Sequence, residues 1–198
     1  MDYKQIITEA VTVLKNGGVI LYPTDTVWGI GCDATNEKAV ARIFEIKKRS
    51  EAKSLVLLAS DLDMVALHIR EIPSIAIDLV EVNDDPMTII YPGAQGLAPN
   101  VVAEDGSVGI RIPHVEEGAT EGPAAFCREL ARRLRRPLVS TSANISGEPT
   151  PTCFKEIPEE IRSAVDFVVP RALEAGATGK ASQIIKLGLG GEVQIIRA

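Results

Sequence analysis

The sequence predicts an α/β fold in one domain covering residues 1–198, a mixed sheet covered by helices. Three observations carry that expectation. Short runs of Val, Ile and Leu bounded by Gly and Pro have the length of buried strands. Between them, apolar residues recur at helical spacing. The two kinds of segment are mixed, without the strict βαβ alternation of a doubly wound sheet. Aromatic residues are only 4% of the chain, so aliphatic side chains must fill its core. With 198 residues, the chain can bury one sizeable core.

Residues 4–15 place Ile6, Ile7, Ala10, Val11 and Leu14 on one helical face, and Gly17-Gly18 stops that helix. Residues 19–22 read as a buried strand ended by Pro23, and residues 24–33 as a polar, Gly-containing passage. Thr35 and Asn36 cap a second helix with the stripe Ala39, Val40, Ile43, Phe44 and Ile46. Lys47-Lys48-Arg49 ends it, cations where the helix dipole favours them. Residues 55–58 form the next strand, followed by helices near 61–69 and 74–82. Residues 87–91 and 107–112 read as strands around a Gly/Pro-rich loop. A long helix spans 120–135, and the strand at 138–141 runs into Ser142-Ala143-Asn144-Ile145-Ser146-Gly147. A short helix near 155–162 and strands at 165–169, 182–187 and 193–197 complete the chain.

The net charge of −6 argues against a broad nucleic-acid-coating surface, yet leaves room for a local basic pocket that takes a phosphorylated small molecule. Cys32, Cys127 and Cys153 are widely spaced and form no C-x-x-C pair, which argues against a disulfide framework or a zinc site. With His68 and His114 as the only histidines, no protein-held metal is expected. A metal would arrive with a nucleotide, as Mg²⁺ held by phosphates. The N-terminus lacks the layout of a signal peptide, and no apolar run reaches the ~18 residues of a membrane span, so a cytoplasmic protein without membrane contact is expected.

Four features imitate sites. Gly29-Ile30-Gly31-Cys32-Asp33-Ala34 fits G-x-G-x-x-A, but the caps Thr35 and Asn36 start the helix after the glycines, not on them. Residues 176–182 imitate a P-loop, but Glu174 stands where the first glycine is needed and Ala181 follows the lysine. Arg132 to Arg136 reads as a solvated helix end more readily than as an RNA patch. Nothing beside Cys32 marks an activated thiolate.

The segments suited to chemistry are polar groups at the ends of apolar strands and helices. Lys47, Arg49 and Lys53 fit a phosphate clamp, and equally a charged helix end and loop. Ser140-Thr141-Ser142-Ala143-Asn144 offers hydroxyls and an amide to phosphate or ribose, or ordinary capping bonds. Asp25, in Tyr22-Pro23-Thr24-Asp25-Thr26, is a general base or a turn acceptor. Arg111 lies in an apolar strand and needs a partner, either a ligand carboxylate or an internal Asp or Glu.

Taken together, Y-P-T-D-T-x-W-G-I-G at 22–31, I-K-K-R at 46–49 followed by Lys53, G-I-R-I-P at 109–113 and S-T-S-A-N-I-S-G-E-P-T at 140–150 resemble the YrdC/TsaC family. The resemblance runs in order from about residue 5 to Arg197. It implies a YrdC-like fold, a single-domain twisted mixed sheet flanked by helices around a large positively charged cavity. It also implies a nucleotidyltransferase that makes L-threonylcarbamoyl-AMP and pyrophosphate from L-threonine, bicarbonate and ATP, with Mg²⁺. The product would pass to a transferase complex that forms N6-threonylcarbamoyladenosine in tRNA, and double-stranded RNA binding or a tRNA contact is part of the same expectation.

By that resemblance Thr26, Arg111, Ser140 and Ser182 contact threonine, and Arg49, Lys53, Thr88, Ser142, Thr150 and Arg197 contact ATP. Lys47 reaches both ligands, Asn144 shapes the loop and serves the metal-phosphate region, and Lys47 and Arg49 are the catalytic pair. The chain departs from many relatives at Ser50 and Ser54, where they carry Pro, at Leu58, where some carry His, and at Ser182-Gln183, where Ser-Thr is common. Two other readings compete: an RNA-binding module of the same fold, and a paralogous adenylate-forming enzyme with another substrate.

Overall fold

The computed structural model describes residues 2–49 and 55–198, so Lys53, Ser50 and Ser54 lie outside the described residues. The elements run α1 (Tyr3–Lys15), β1 (Ile20–Pro23), β2 (Trp28–Gly31), α2 (Glu37–Lys47), β3 (Val56–Leu58), α3 (Leu62–His68) and α4 (Ser74–Val82). They continue with β4 (Met87–Tyr91), β5 (Val108–Arg111), α5 (Pro123–Leu134), β6 (Leu138–Ser142), α6 (Glu159–Ala164), β7 (Phe167–Val168), β8 (Gln183–Leu187) and β9 (Val193–Arg197). Among the described residues these strands form one sheet, in the order β7-β1-β2-β6-β3-β5-β4-β8-β9. It is mixed, as expected: β1 runs antiparallel to β2 and parallel to β7, and β3 runs parallel to β5 and antiparallel to β6.

Alternation along the strands divides the core between the two faces of the sheet. Leu21, Ile30, Leu57, Ile110 and Val139 pack in one cluster with Val40, Ile43 and Phe44 of α2, Val65 of α3 and Ala76 of α4. Ile20, Tyr22, Leu58 and Leu138 pack in the other with Ile7, Ala10 and Leu14 of α1 and Phe126, Leu130 and Leu134 of α5. Each of the larger side chains contributes about 1.5–3 kcal/mol by leaving water. The capping box of Asp2 and Gln5 fixes the start of α1, and the Asn36 side chain accepts from the Ala39 N–H to start α2.

Three elements differ from their sequence expectations. The passage at 24–33 contains β2, whose two glycines look like a turn signal. A Cβ on Gly31 would sit 2.3 Å from the Val139 carbonyl oxygen, so this glycine serves the close approach of β2 to β6 and not a phosphate. The helix expected over 120–135 begins at Pro123, because Gly122 adopts φ +109° and Pro favours the first helical position. The helix near 155–162 is a 3-10 turn at Phe154–Glu156 followed by α6, with Pro158 as the break.

Register sets where the polar residues emerge. Leu138 lies opposite Leu58, under α1 and α5, and Ser140 lies opposite Val56 on the same face. Ser142 follows on that face, opposite Gly29 of β2. Helices α1 and α5 thus cover one end of this face and leave the end with the serines open.

Candidate active site

A cavity of about 260 Å³ occupies that open end. It is walled by Thr24 and Thr26 after β1, Trp28 and Gly29 of β2, Arg111 of β5 and Ser140 to Ser142 of β6. Arg49, Thr150, Ser182 and Arg197 close it. Its described lining holds three arginines, Arg49, Arg111 and Arg197, and no carboxylate or histidine. These three cations stand together in a chain of net charge −6.

Arg49 enters because α2 ends abruptly. Lys48 adopts the left-handed conformation at φ +49°, and the Arg49 N–H donates to Phe44 O at 2.9 Å. This reversal sends adjacent cations to different places. Arg49 reaches the cavity, where its Nη1 lies 3.4 Å from Thr141 Oγ1. Lys47 is 2% exposed behind the wall. Its Nζ donates to Ser142 O, to Asn144 O at 2.7 Å and to Asn144 Oδ1 at 3.4 Å. Burial, with Arg49 nearby, pulls its pKa down to about 8, while the three oxygens favour the ammonium form.

Asn144 is a joint, not a wall. Its Oδ1 accepts from Ser142 Oγ at 2.5 Å, and its Nδ2 donates to Glu148 O at 2.7 Å. The loop is also tied to α2 by Ser146 N–H donating to Lys47 O at 2.8 Å. Thr88 likewise sits behind the lining, its hydroxyl 2.8 Å from that of Ser182. Arg197 donates from Nε and Nη2 to the Ser182 carbonyl, which anchors its guanidinium at the cavity edge.

The remaining wall is fixed by hydroxyls and by a crossing strap. Thr24 Oγ1 donates to Val27 O at 2.8 Å and lies 2.8 Å from Thr26 Oγ1. A hydroxyl has one proton, so Thr26 donates to Thr24 and keeps lone pairs for a donor in the cavity. Thr178 N–H donates to Asp25 O and Gly179 N–H to Thr26 O, both at 2.8 Å. Glu174 accepts from Trp28 Nε1 at 2.7 Å and from Phe154 N–H at 3.0 Å. The P-loop imitation belongs to this strap and leads into β8, not into a helix.

The structure therefore brings Thr26, Arg49, Arg111, Ser140, Ser142, Thr150, Ser182 and Arg197 to one cavity, and places Lys47, Thr88 and Asn144 directly behind it. Sequence reasoning missed Thr24, Trp28 and Glu174. The run P-T-D-T held a signal for Thr24, whereas Glu174 meets Trp28 across 146 residues and had none. In the arginine cluster at 132–136, Arg132 and Arg133 pair with Glu129, and Arg136 with Asp33. Leu58 is fully buried in the α1/α5 core, and Gln183 is exposed at the start of β8. Among the described residues no helix is long and apolar enough to cross a membrane.

Comparison with known proteins places the chain in a family. The chain is 36% identical over 149 residues to a threonylcarbamoyl-AMP synthase of Coxiella burnetii, covering 75% of each chain. It is 35% identical over 182 residues to one of Xanthomonas euvesicatoria, covering 90% of this chain and 91% of that one. P. abyssi Sua5, solved with L-threonine, superposes with a TM-score of 0.80 at 27% identity, covering 94% of this chain. This chain spans about half of that one, 52%. The family model Sua5_yciO_yrdC, described as "Telomere recombination", matches residues 12–198. Fold, motif order and a match over nearly the whole chain agree: the chain belongs to the Sua5/YciO/YrdC family.

Proposed function

We propose that this chain is an L-threonylcarbamoyladenylate synthase, a nucleotidyltransferase that makes L-threonylcarbamoyl-AMP and pyrophosphate from L-threonine, bicarbonate and ATP. The observation that carries the reading is the cavity: three fixed arginines, a row of hydroxyls and no carboxylate, in a chain related to named threonylcarbamoyl-AMP synthases. The product is a labile mixed anhydride and suits direct transfer to a tRNA-modifying complex.

The chemistry sets the demand. The threonine amine attacks CO₂ with loss of its proton, or bicarbonate with loss of water, and the resulting N-carboxylate attacks the α-phosphorus of ATP, forming the P–O bond as the bond to pyrophosphate breaks. Two anions must be held together, so catalysis rests on positioning and charge. Arg111 takes the threonine carboxylate, and Thr26 accepts from its ammonium or hydroxyl. Ser140 and Ser182 complete that end. Arg49, Ser142, Thr150 and Arg197 take the nucleotide, with Lys53 in the same role by resemblance. Lys47, Asn144 and Thr88 support the loop and strands that present these groups.

The donor set also fits how Mg²⁺ would arrive. Among the described residues no group of three or more His, Cys, Asp or Glu could hold a metal ion. The ion would be carried by phosphate oxygens and water, and would supply charge neutralisation on the triphosphate. The RNA-module reading rests on Arg132 to Arg136, of which Arg132 and Arg133 share Glu129 and Arg136 pairs with Asp33; RNA affinity without pyrophosphate release would favour it.

The test is pyrophosphate release from Mg-ATP and bicarbonate. Release is expected only with L-threonine, at a rate that falls at least about tenfold in Arg49→Ala, which removes a charge-assisted contact. Release without threonine, or none at all, refutes the reading.

A further inference from the structure

Arg111 already has a partner in the protein. Both carboxylate oxygens of Asp25 lie 2.5 Å from its Nη1, and the two side chains are 4% and 14% exposed. The pairing involves Nη1 only. Nε and Nη2 make no hydrogen bond among the described residues, yet neither is sealed away as an unpartnered buried atom. They belong to a side chain that lines the cavity, whereas Asp25 is absent from the lining.

We infer that Asp25 is a positioning residue for substrate recognition: it holds Arg111 by Nη1 so that the Nε–Nη2 edge faces the cavity as a fork for an α-carboxylate. A guanidinium offers its donors in a rigid plane, so fixing one nitrogen fixes the direction of the opposite edge. Backbone contacts hold Asp25 in turn. Its carbonyl accepts from Thr178 N–H, and the next carbonyl accepts from Gly179 N–H. The strap that leads to Ser182 and the arginine that shares its cavity are therefore both tied to the same short segment. On this inference Asp25 serves as the partner of Arg111 and not as the base that deprotonates the threonine amine.

The inference rests on the proposed threonine site, and its test separates the two. Threonine and ATP dissociation constants are measured by calorimetry on wild type, Asp25→Asn, Arg111→Gln and the double variant. Asp25→Asn is expected to weaken threonine on the order of tenfold, the worth of one charge-assisted contact, and to leave ATP affinity essentially unchanged. The double variant is expected to match Arg111→Gln, because Asp25 acts through that arginine. This comparison also covers the case in which Asp25→Asn alone does not fold, since removing both members of a buried pair is better tolerated than removing one. A further loss in the double variant, or unaltered or tighter threonine binding in Asp25→Asn, overturns the role of Asp25 alone. A wild-type protein that binds no threonine overturns it together with the proposed function.

Discussion

A lysine ammonium has three protons, and at Lys47 three oxygens of one loop lie within reach of them. That match makes Lys47 a strut between α2 and the segment that carries Ser142. Deprotonation removes one donor, so the loop loosens as pH rises through about 8. Activity is therefore expected to fall on an alkaline limb near that pH, and Lys47→Arg, which keeps its charge, is expected to remove the limb. A limb that persists in the variant assigns the titration elsewhere. The stability effect has the opposite sign. Lys47 titrates lower in the folded chain than the ordinary 10.5, so between about 8 and 10.5 the unfolded chain binds more protons. Its contribution to stability rises with pH across that window, and a thermal-denaturation series can separate it from the activity loss. The cation cluster was legible in the sequence, because Lys47 and Arg49 flank a helix end. Their division was not: it depends on the left-handed Lys48 and on carbonyls 95 and 97 residues away.

At the scale of elements, the site exists because strand register carries serines out from under the helices. The apolar periodicities of α1, α2 and β6 could be read in advance, since their cores are local patterns of hydrophobic side chains. Strand β2 could not. Its sequence, Trp28-Gly29-Ile30-Gly31, has the composition of a loop, and its reason is steric and distant. Gly31 leaves room for the Val139 carbonyl, and a Cβ there would lie 2.3 Å from that oxygen and 2.7 Å from Tyr22 Cε1. Backbone cannot yield as a flexible side chain can, so Gly31→Ala is expected to cost about 3 kcal/mol, the upper part of the overpacking range. Chemical denaturation measures it. A neutral result would mean that β2 and β6 separate at little cost, and the positions of Gly29 and Ser142 opposite each other would lose their significance.

At the scale of the whole molecule, the charge distribution opposes the charge total. The chain carries −6, while its described cavity lining carries Arg49, Arg111 and Arg197 without a carboxylate. Outside it, Arg132 and Arg133 meet Glu129 and Arg136 meets Asp33; within it, Arg111 meets Asp25, which lies outside the lining. On the proposed function, an anionic nucleotide is expected to be drawn by the cavity arginines against the net negative charge of the chain, while threonine, a zwitterion without net charge, is expected to feel neither at long range. Salt separates the two. Raising ionic strength to about 1 M, where the screening length falls to about 3 Å, is expected to weaken ATP binding several-fold and to leave threonine binding nearly constant, because the contacts proposed for it are short-range hydrogen bonds. Calorimetric titrations of each ligand across a salt series measure this directly. ATP binding that ignores salt would show that short-range hydroxyl contacts hold the nucleotide. Threonine binding that collapses with salt would show that Arg111 acts as a diffuse charge, not as an oriented fork.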